Sequence, residues 1–253
     1  VYAGFTLIEA ILLKLGGMSL FDAVCHALTT LPTGGFSPKN TSVAHYDSAY
    51  FDTVIFIFMV LAGINFSLHY QMLRGKPLSF WNDTECRFFI GLILLFTVVI
   101  AWDTWGPVYH SLFEAVRYSG FQVASIVTTT GFATADYEKF SGLSQILIFT
   151  LMFIGGSAGS TGGGMKCARI IVLFKYCYRE LFWLIHPRSV RQIKIKNTII
   201  PDDVLQYLAG FNYTGVILAY AGTGLLFAVG WVLLRRTSTI ANRKWLALEL
   251  LVL

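Results

Sequence analysis

Long uncharged stretches divide the chain into candidate membrane spans. Residues 53–68 and 88–102 carry no charged side chain, and the first of these apolar stretches extends to about residue 73. Residues 204–234 run 31 positions without a charge, more than the about 20 residues that a helix needs to cross a bilayer. The apolar run 146–154 is too short to cross, but it continues through glycines into residues 167–174, which predicts one glycine-interrupted span.

Two moderately apolar segments, 20–31 and 112–127, are too short to span a membrane, and each leads into a polar turn. The turns read TTLPTGGFSPKN at 29–40 and VTTTGFATAD at 127–136. This order predicts, twice, a half-helix that enters the membrane and returns as an extended loop. Inside a bilayer such a loop leaves backbone groups without partners, so it is tolerated only where it lines water or binds something.

The same order of elements occurs twice, which indicates an internal repeat. A repeated unit of span, pore helix, loop and span is the building block of a cation pore, in which several copies surround one axis. Residues 1–15 then form the end of the opening helix of the first copy, and residues 204–234 form the opening helix of a third. Three pairs of segments match, at offsets of 92, 96 and 93 positions: FDAV with FEAV (21–24 and 113–116), TGGFS with TTGFA (33–37 and 129–133), and MVLAGINFS with MFIGGSAGS (59–67 and 152–160).

The repeat predicts a fold class and a domain organisation. The chain is expected to be an all-α integral membrane protein, truncated at both ends. Its repeated units of helix, pore helix, filter loop and helix are expected to surround a pseudo-symmetric cation pore. The segments are residues 1–75 (first pore repeat), 76–175 (second pore repeat), 176–203 (basic cytoplasmic loop), 204–236 (first helix of a further repeat) and 237–253 (atypical tail).

Composition agrees with a membrane protein. Of the 253 residues 55% are hydrophobic and 13% are charged, and the mean hydropathy is +0.63, whereas soluble domains carry about 25% charged residues. From Lys166 to Lys196 eight Lys and Arg residues occur with one acid, Glu180, which indicates the cytoplasmic side. By alternation, both half-helices then enter from the outside.

Charge and cysteine content exclude several other classes. The formal charge of +5 is explained by cytoplasmic loops, so we expect no nucleic acid as a partner. The four cysteines form no C-x-x-C pair and no cluster with metal-ligand spacing. We therefore expect no cofactor in this chain and no enzymatic activity.

The two polar turns carry the chemistry of a potassium filter. A dehydrated K⁺ needs a cage of oxygens, which filters supply with stacked backbone carbonyls from loops around one axis. Glycine permits the unusual backbone angles that such loops need, threonine hydroxyls add oxygens, and the C-terminal ends of the half-helices favour a cation. Phe36 and Phe132 are expected to wedge the loops against surrounding helices. The predicted K⁺-binding residues are Thr33, Gly34, Gly35 and Phe36 in the first Thr/Gly loop, and Thr129, Thr130, Gly131 and Phe132 in the second.

The two Thr/Gly loops share one glycine when they are aligned, Gly35 with Gly131. We therefore expect weaker selectivity for K⁺ over Na⁺ than in a filter with two glycines per loop. For either loop taken alone, an ordinary extracellular turn is the alternative.

A glycine-rich loop interrupts the span that follows the second Thr/Gly loop. Each Gly costs about 1 kcal/mol relative to Ala in a helix, so we expect a flexible loop beneath the filter that is able to block the ion path. One alternative is close helix packing through small residues. Another is the phosphate loop of a nucleotide-binding membrane enzyme, although Met165 and Cys167 break the Gly-Lys-Ser/Thr order that such a loop requires. The loop comprises Gly155, Gly156, Ser157, Ala158, Gly159, Ser160, Thr161, Gly162, Gly163 and Gly164.

The first repeat has Asn65 where the second has Ala158, so it lacks the glycines of this loop. We therefore expect a gate in one repeat only.

The stretches TTLPTGGFSPKN, SIVTTTGFATADYEKF, FIGGSAGSTGGGMKCARIIVLFK and HPRSV lie within residues 20–190. Together they resemble the TrkH/KtrB/HKT superfamily of potassium transporters, and TrkH most closely. The resemblance implies four repeats around one K⁺ pore, and it implies that Gly155 to Gly164 form an intramembrane gate. It further implies a multi-pass homodimer in lipid of the bacterial cytoplasmic (inner) membrane, with a cytosolic, nucleotide-binding, TrkA-like regulatory subunit. Because only two of the four filters occur in the chain, a non-conducting remnant is the alternative.

Overall fold

The computed structural model describes residues 1–76, 78–186, 194–195 and 198–199. The described part is mainly helical, which confirms the predicted all-α class. Two short 3-10 turns, Ser42–Tyr46 and Tyr137–Lys139, lie in the connections. The helices are α1 (Tyr2–Leu15), α2 (Leu20–Thr30), α3 (Ala49–Gly63), α4 (Phe66–Leu73), α5 (Ser79–Asn82), α6 (Thr84–Thr104), α7 (Leu112–Val127), α8 (Gly142–Leu151) and α9 (Cys167–Ile185), and the two-residue strands β1 (Lys194–Ile195) and β2 (Thr198–Ile199) pair with each other.

The chain divides into two compact units. The first comprises Val1–Tyr178 with Ile195–Thr198, and the second comprises Arg179–Lys194 with Ile199–Leu253. The predicted further helix at 204–236 and the tail at 237–253 lie outside the described residues. The residues of the candidate site described below all belong to the first unit.

The two predicted half-helices form as α2 and α7. Ser19 begins α2, and its hydroxyl accepts a hydrogen bond of 3.1 Å from the backbone N–H of Asp22, a capping contact worth about 1 kcal/mol. Each half-helix packs against the helix that precedes it, α2 against α1 and α7 against α6. From the first helix to the start of the Thr/Gly loop, the two repeats therefore have the same order and packing of helices.

By length and composition, one helix in the described part of the chain, α6, is long and apolar enough to cross a membrane. Helices α3 and α4 pass the same test when they are taken together, but they are bent by 100° at the break between them. The span predicted at 53–68, with its apolar extension to about 73, is therefore broken into two helices. The break occurs because Asn65 caps α4, its Oδ1 accepting a hydrogen bond of 2.8 Å from the N–H of Ser67.

The end of the second repeat also differs from the prediction. The span expected from 146 onwards is interrupted as predicted, since α8 ends at Leu151 and α9 begins at Cys167. Helix α9 then continues to Ile185, so residues 176–185 are helical although we assigned them to the cytoplasmic loop. Charged residues mark the edge of an apolar stretch, but they are good helix formers and do not end a helix.

The two repeats share a hydrophobic core. Ile55 and Met59 of α3 pack in one cluster with Phe121 of α7 and with Phe132 of the second Thr/Gly loop, all of them fully buried. An ion pair also links the repeats, because Arg117 Nε of α7 lies 2.7 Å from Asp52 Oδ2 of α3. These contacts position the second half-helix against the first repeat.

Candidate functional site

The two Thr/Gly loops have the same backbone conformation. Thr33 and Thr129, which are 96 positions apart, have φ angles of 57° and 60°. Gly35 and Gly131, at the same offset, have φ angles of 64° and 89°. A positive φ is readily adopted by glycine but strained for a β-branched residue such as threonine. The pattern explains why one glycine position is shared by the two loops.

The loops also share one pattern of backbone hydrogen bonds. In the first, the N–H groups of Gly34 and Gly35 both donate to Thr29 O, at 2.8 and 3.1 Å. In the second, the N–H groups of Thr130 and Gly131 both donate to Ser125 O, at 2.9 and 3.2 Å. The internal repeat therefore extends to individual hydrogen bonds, which an accidental likeness of apolar sequences would not produce.

A hydroxyl group in the last turn of each half-helix braces the loop that follows. Thr29 Oγ1 donates to Phe36 O at 2.8 Å, and Ser125 Oγ donates to Phe132 O at 2.6 Å. Neither residue is among the site residues predicted from the sequence. Each lies four positions before the first threonine of its loop, and that shared spacing is the signal that would have found them.

The two loops are in direct contact. A Cβ atom added to Gly35 would stand 1.9 Å from the carbonyl oxygen of Thr130, so the loop backbones pack without room for a side chain. Beyond the loops, the N–H of Ala44 donates to Ala133 O at 3.1 Å, and the N–H of Ala133 donates to Ser42 Oγ at 3.3 Å. The structure thus brings the predicted site residues of both repeats together.

The expectation that both phenylalanines wedge their loops is right for one of them. Phe132 is fully buried, and its ring lies 5.6 Å from the ring of His26, on the half-helix of the other repeat. Phe36 is 76% exposed, so the expected wedge is wrong for this residue within the described chain. The reason is that Phe132 packs on the half-helix α2 of the preceding repeat, whereas the described chain contains no half-helix before α2 on which Phe36 could pack in the same way.

A buried histidine fixes the exit of the first loop. His26 Nδ1 lies 2.7 Å from Asp22 O, and Nε2 lies 3.0 Å from Ser37 Oγ. A carbonyl oxygen only accepts hydrogen bonds, so Nδ1 carries the proton and Nε2 accepts from the Ser37 hydroxyl. The residue 96 positions after His26 is Gln122, which is also buried.

The glycine-rich loop lies against both Thr/Gly loops. The Thr33 hydroxyl is within hydrogen-bond distance of two carbonyl oxygens, those of Pro32 (2.7 Å) and Thr161 (3.1 Å). The Thr129 hydroxyl accepts a hydrogen bond of 2.6 Å from the N–H of Gly163. The equivalent threonines of the two repeats therefore both contact this loop.

The broken span of the first repeat supplies acceptors for the glycine-rich loop. The break leaves the carbonyls of Ala62 and Gly63 at the end of α3 without helical partners. The N–H of Ser157 donates to Gly63 O at 2.9 Å, and the N–H of Thr161 donates to Ala62 O at 3.3 Å. Both repeats are therefore interrupted at this place, the first by a bend and the second by the glycine-rich loop.

Several glycines of this loop are required by close approach. A Cβ atom at Gly155 would lie 1.9 Å from Gly163 O, and one at Gly162 would lie 3.0 Å from Thr128 O. The Lys166 ammonium donates to Gly162 O. Packing of two regular helices does not describe this segment, because no helix is present between Leu151 and Cys167.

The geometry does not support the phosphate-loop alternative. Helix α8, and not a strand, precedes the glycines. The N–H groups of Ser157, Ala158, Thr161 and Gly163 are already bound to protein oxygens, whereas a phosphate loop presents such groups to its ligand. Within the described residues, no group of three or more His, Cys, Asp or Glu side chains is arranged to hold a metal ion.

Comparison with known proteins assigns the family. The model of the TrkH family, described as cation transport protein, matches residues 2–227. The potassium uptake protein TrkH of Salmonella typhimurium is 39% identical over 213 residues, which cover 83% of this chain and 44% of that protein. TrkH of Halomonas elongata is 37% identical over 224 residues, which cover 87% of this chain and 46% of that protein.

A crystal structure of the potassium transporter TrkH from Vibrio parahaemolyticus matches the fold with a TM-score of 0.80 and 33% identity, over 94% of this chain and 50% of that one. The chain therefore spans about half the length of the relatives it matches. Family model, sequence relatives and solved structure all indicate the same family. The chain belongs to the TrkH family of cation transport proteins.

Proposed function

We propose that this chain contributes two filter loops to a pore for potassium uptake across the bacterial cytoplasmic (inner) membrane, as part of a multi-pass transporter. The observation that carries the proposal is the equivalence and direct contact of the two Thr/Gly loops, whose backbones match hydrogen bond for hydrogen bond. Backbone carbonyls of the loops replace the hydration water of K⁺. The residues in this role are Thr33, Gly34, Gly35, Phe36, Thr129, Thr130, Gly131 and Phe132.

Two loops supply half of a four-loop ring, and the relatives are about twice as long as this chain. The packing of Phe132 on His26 of the neighbouring half-helix supports such a ring. In a closed ring, the exposed ring of Phe36 takes the same place against the half-helix of a further repeat. Burying that ring removes apolar surface from solvent, which stabilises the assembly.

The glycine-rich loop, Gly155 to Gly164, serves as the gate beneath the filter. Its contacts with Thr33 and Thr129 support this role, because they bring it against both Thr/Gly loops. The loop is not helical, and it is held in place by hydrogen bonds to the end of α3 and to Thr129. These bonds are separate from one another, so the loop can leave its position without the unwinding of a helix. Displacement of the loop then opens the ion path.

The remaining features follow the family resemblance. The transporter is a homodimer in membrane lipid, it needs no cofactor in this chain, and a cytosolic, nucleotide-binding, TrkA-like subunit regulates it. The basic residues from Lys166 onwards support contact with this regulator or with anionic lipid headgroups. The transported ion is K⁺.

Growth of a K⁺-uptake-deficient bacterium at low K⁺ tests the function. We expect copies of the chain that together complete a four-loop ring in the membrane to restore growth, and Gly35→Ala to abolish rescue because its Cβ collides with Thr130 O. Gly4→Ala is the matched control, since nothing lies within 4 Å of its added Cβ atom. Absence of rescue at confirmed membrane expression would contradict the proposal for the chain alone and favour a non-conducting remnant.

A further inference from the structure

Glu85 connects the glycine-rich loop to the helix that follows it. The side chain projects from the first turn of α6 and is only 9% exposed. Its Oε1 atom accepts a hydrogen bond of 2.6 Å from the N–H of Ala158 and one of 2.9 Å from the N–H of Ala168. Ala158 lies in the middle of the loop, and Ala168 lies in the first turn of α9. A single carboxylate oxygen thus holds both sides of the segment.

The position of Glu85 is itself fixed. Asp83 caps α6, with its Oδ1 accepting hydrogen bonds of 2.9 Å from the N–H groups of Glu85 and of Cys86. The first turn of α6 is thereby anchored before the Glu85 side chain begins. The Glu85 carboxylate is therefore a hydrogen-bond acceptor whose position does not depend on the position of the loop.

The two hydrogen bonds differ in what they require of the loop. The N–H of Ala168 is one of the first four of α9, which lack partners inside their own helix, and a negative charge is favourable at that end of a helix. This bond forms wherever α9 stays in place. The bond to Ala158 forms only when the loop occupies its position beneath the Thr/Gly loops.

We propose that Glu85 is a positioning residue that latches the glycine-rich loop in its closed position, with the Ala168 contact as the fixed end and the Ala158 contact as the releasable one. The proposal rests on the gating role given to the loop above. The backbone contacts of Ser157 and Thr161 with α3 are bonds between neutral groups, whereas a charged acceptor makes a bond about twice as strong. Removal of the Glu85 side chain is therefore expected to release the loop more effectively than loss of either of these backbone bonds.

Amide hydrogen exchange on the purified full chain in detergent tests the latch. In Glu85→Leu we expect exchange at Ala158 to rise about ten- to a hundredfold, since a hydrogen bond to a charged acceptor is lost. In Glu85→Gln, which keeps an oxygen but loses the charge, we expect a smaller rise. Glu138→Gln is the control, because it removes a carboxylate from an exposed turn. The peptides of α2 and α7 serve as internal references and keep their exchange rates.

Unchanged exchange at Ala158 in Glu85→Leu, with α6 still protected, would overturn the latch. Loss of protection throughout α6 and α7 would show that Glu85→Leu fails to fold. In that case Glu85→Gln decides: a faster exchange at Ala158 supports the latch, and an unchanged exchange overturns it. K⁺ uptake into proteoliposomes separates the two proposals. Faster uptake by the glutamate variants than by the unmodified chain supports gating, whereas equal uptake with raised exchange supports the latch and overturns the gate.

Discussion

Thr33 and Thr129, 96 positions apart, have the same left-handed backbone conformation, and both hydroxyls hydrogen-bond the glycine-rich loop. The Thr33 hydroxyl reaches the carbonyl of Thr161, and the Thr129 hydroxyl accepts from the N–H of Gly163. Each repeat therefore contributes a threonine in the same strained conformation, and the two threonines bind the glycine-rich loop at positions two residues apart, Thr161 and Gly163. Threonine is placed here for its hydroxyl although its backbone conformation is unfavourable.

Removal of the Thr129 hydroxyl should destabilise the protein. Thr129→Val removes the acceptor of the exposed Gly163 N–H, and a typical hydrogen bond contributes about 0.5–1.5 kcal/mol to stability. Thr129→Ser keeps the hydroxyl and should stay close to the unmodified protein. Thermal unfolding in detergent measures the difference, with Thr150→Val as a control because its exposed hydroxyl bonds only within α8. Equal midpoints for Thr129→Val and Thr129→Ser would contradict the assignment.

The two shared glycines should respond differently to alanine. Gly35→Ala combines a positive φ with a collision of its Cβ against Thr130 O, so the loops must separate. At Gly131 nothing lies within 4 Å of an added Cβ atom, so its substitution costs the backbone strain alone, about 1–2 kcal/mol. Unfolding by denaturant should therefore show the larger loss for Gly35→Ala. A larger loss for Gly131→Ala would mean that the contact between the loops is misassigned.

Selectivity for K⁺ over Na⁺ should be moderate. Each loop has one glycine at the shared left-handed position and a strained threonine two positions before it, so the number of freely adjustable backbone units is small. Reversal potentials under bi-ionic conditions, recorded from the assembled transporter, measure the permeability ratio. Nearly complete exclusion of Na⁺ would refute the one-glycine argument.

Deletion of residues 157–162 should raise the open probability of the pore. The deletion removes the segment whose N–H groups bind the end of α3 and the Glu85 carboxylate, so no closed position remains for the loop. Single-channel recording or tracer flux measures the effect, and Gly4→Ala, which lies outside the loop and has nothing within 4 Å of its added Cβ atom, is the control. Flux that stays at the level of the control would count against a gate.

The ion pair between Asp52 and Arg117 should stabilise the packing of the two repeats. Both side chains are largely buried, with 4% and 15% of their surfaces exposed. Arg117→Ala leaves the Asp52 carboxylate without its partner, and breaking a buried pair in this way costs about 3–5 kcal/mol. The double variant Asp52→Asn with Arg117→Met should recover much of the loss. Additive losses in the double variant would show that the pair is not coupled.

The order of helices and loops along the chain could be predicted, because it depends on which neighbouring residues are apolar, polar or glycine. The half-helices α2 and α7, the repeat at an offset of 96 and the interruption after α8 all follow from apolar periodicity and from the position of glycine. The bend at Asn65 was missed, since one polar residue in an apolar run is no signal by itself. Its meaning comes from the N–H groups of Ser157 and Thr161, which lie far away in sequence.

The sequence by itself determined the helical class, the membrane character, the repeated order of elements and the residues of the two Thr/Gly loops, because each depends on composition or short-range periodicity. Tertiary structure alone decided that the two loops touch, that Phe132 is buried while Phe36 is exposed, and that Glu85 holds the glycine-rich loop. The physical reason is the need of buried backbone groups for hydrogen-bond partners. In an interrupted helix those partners come from whichever segment packs alongside, and no local pattern in the sequence specifies that segment.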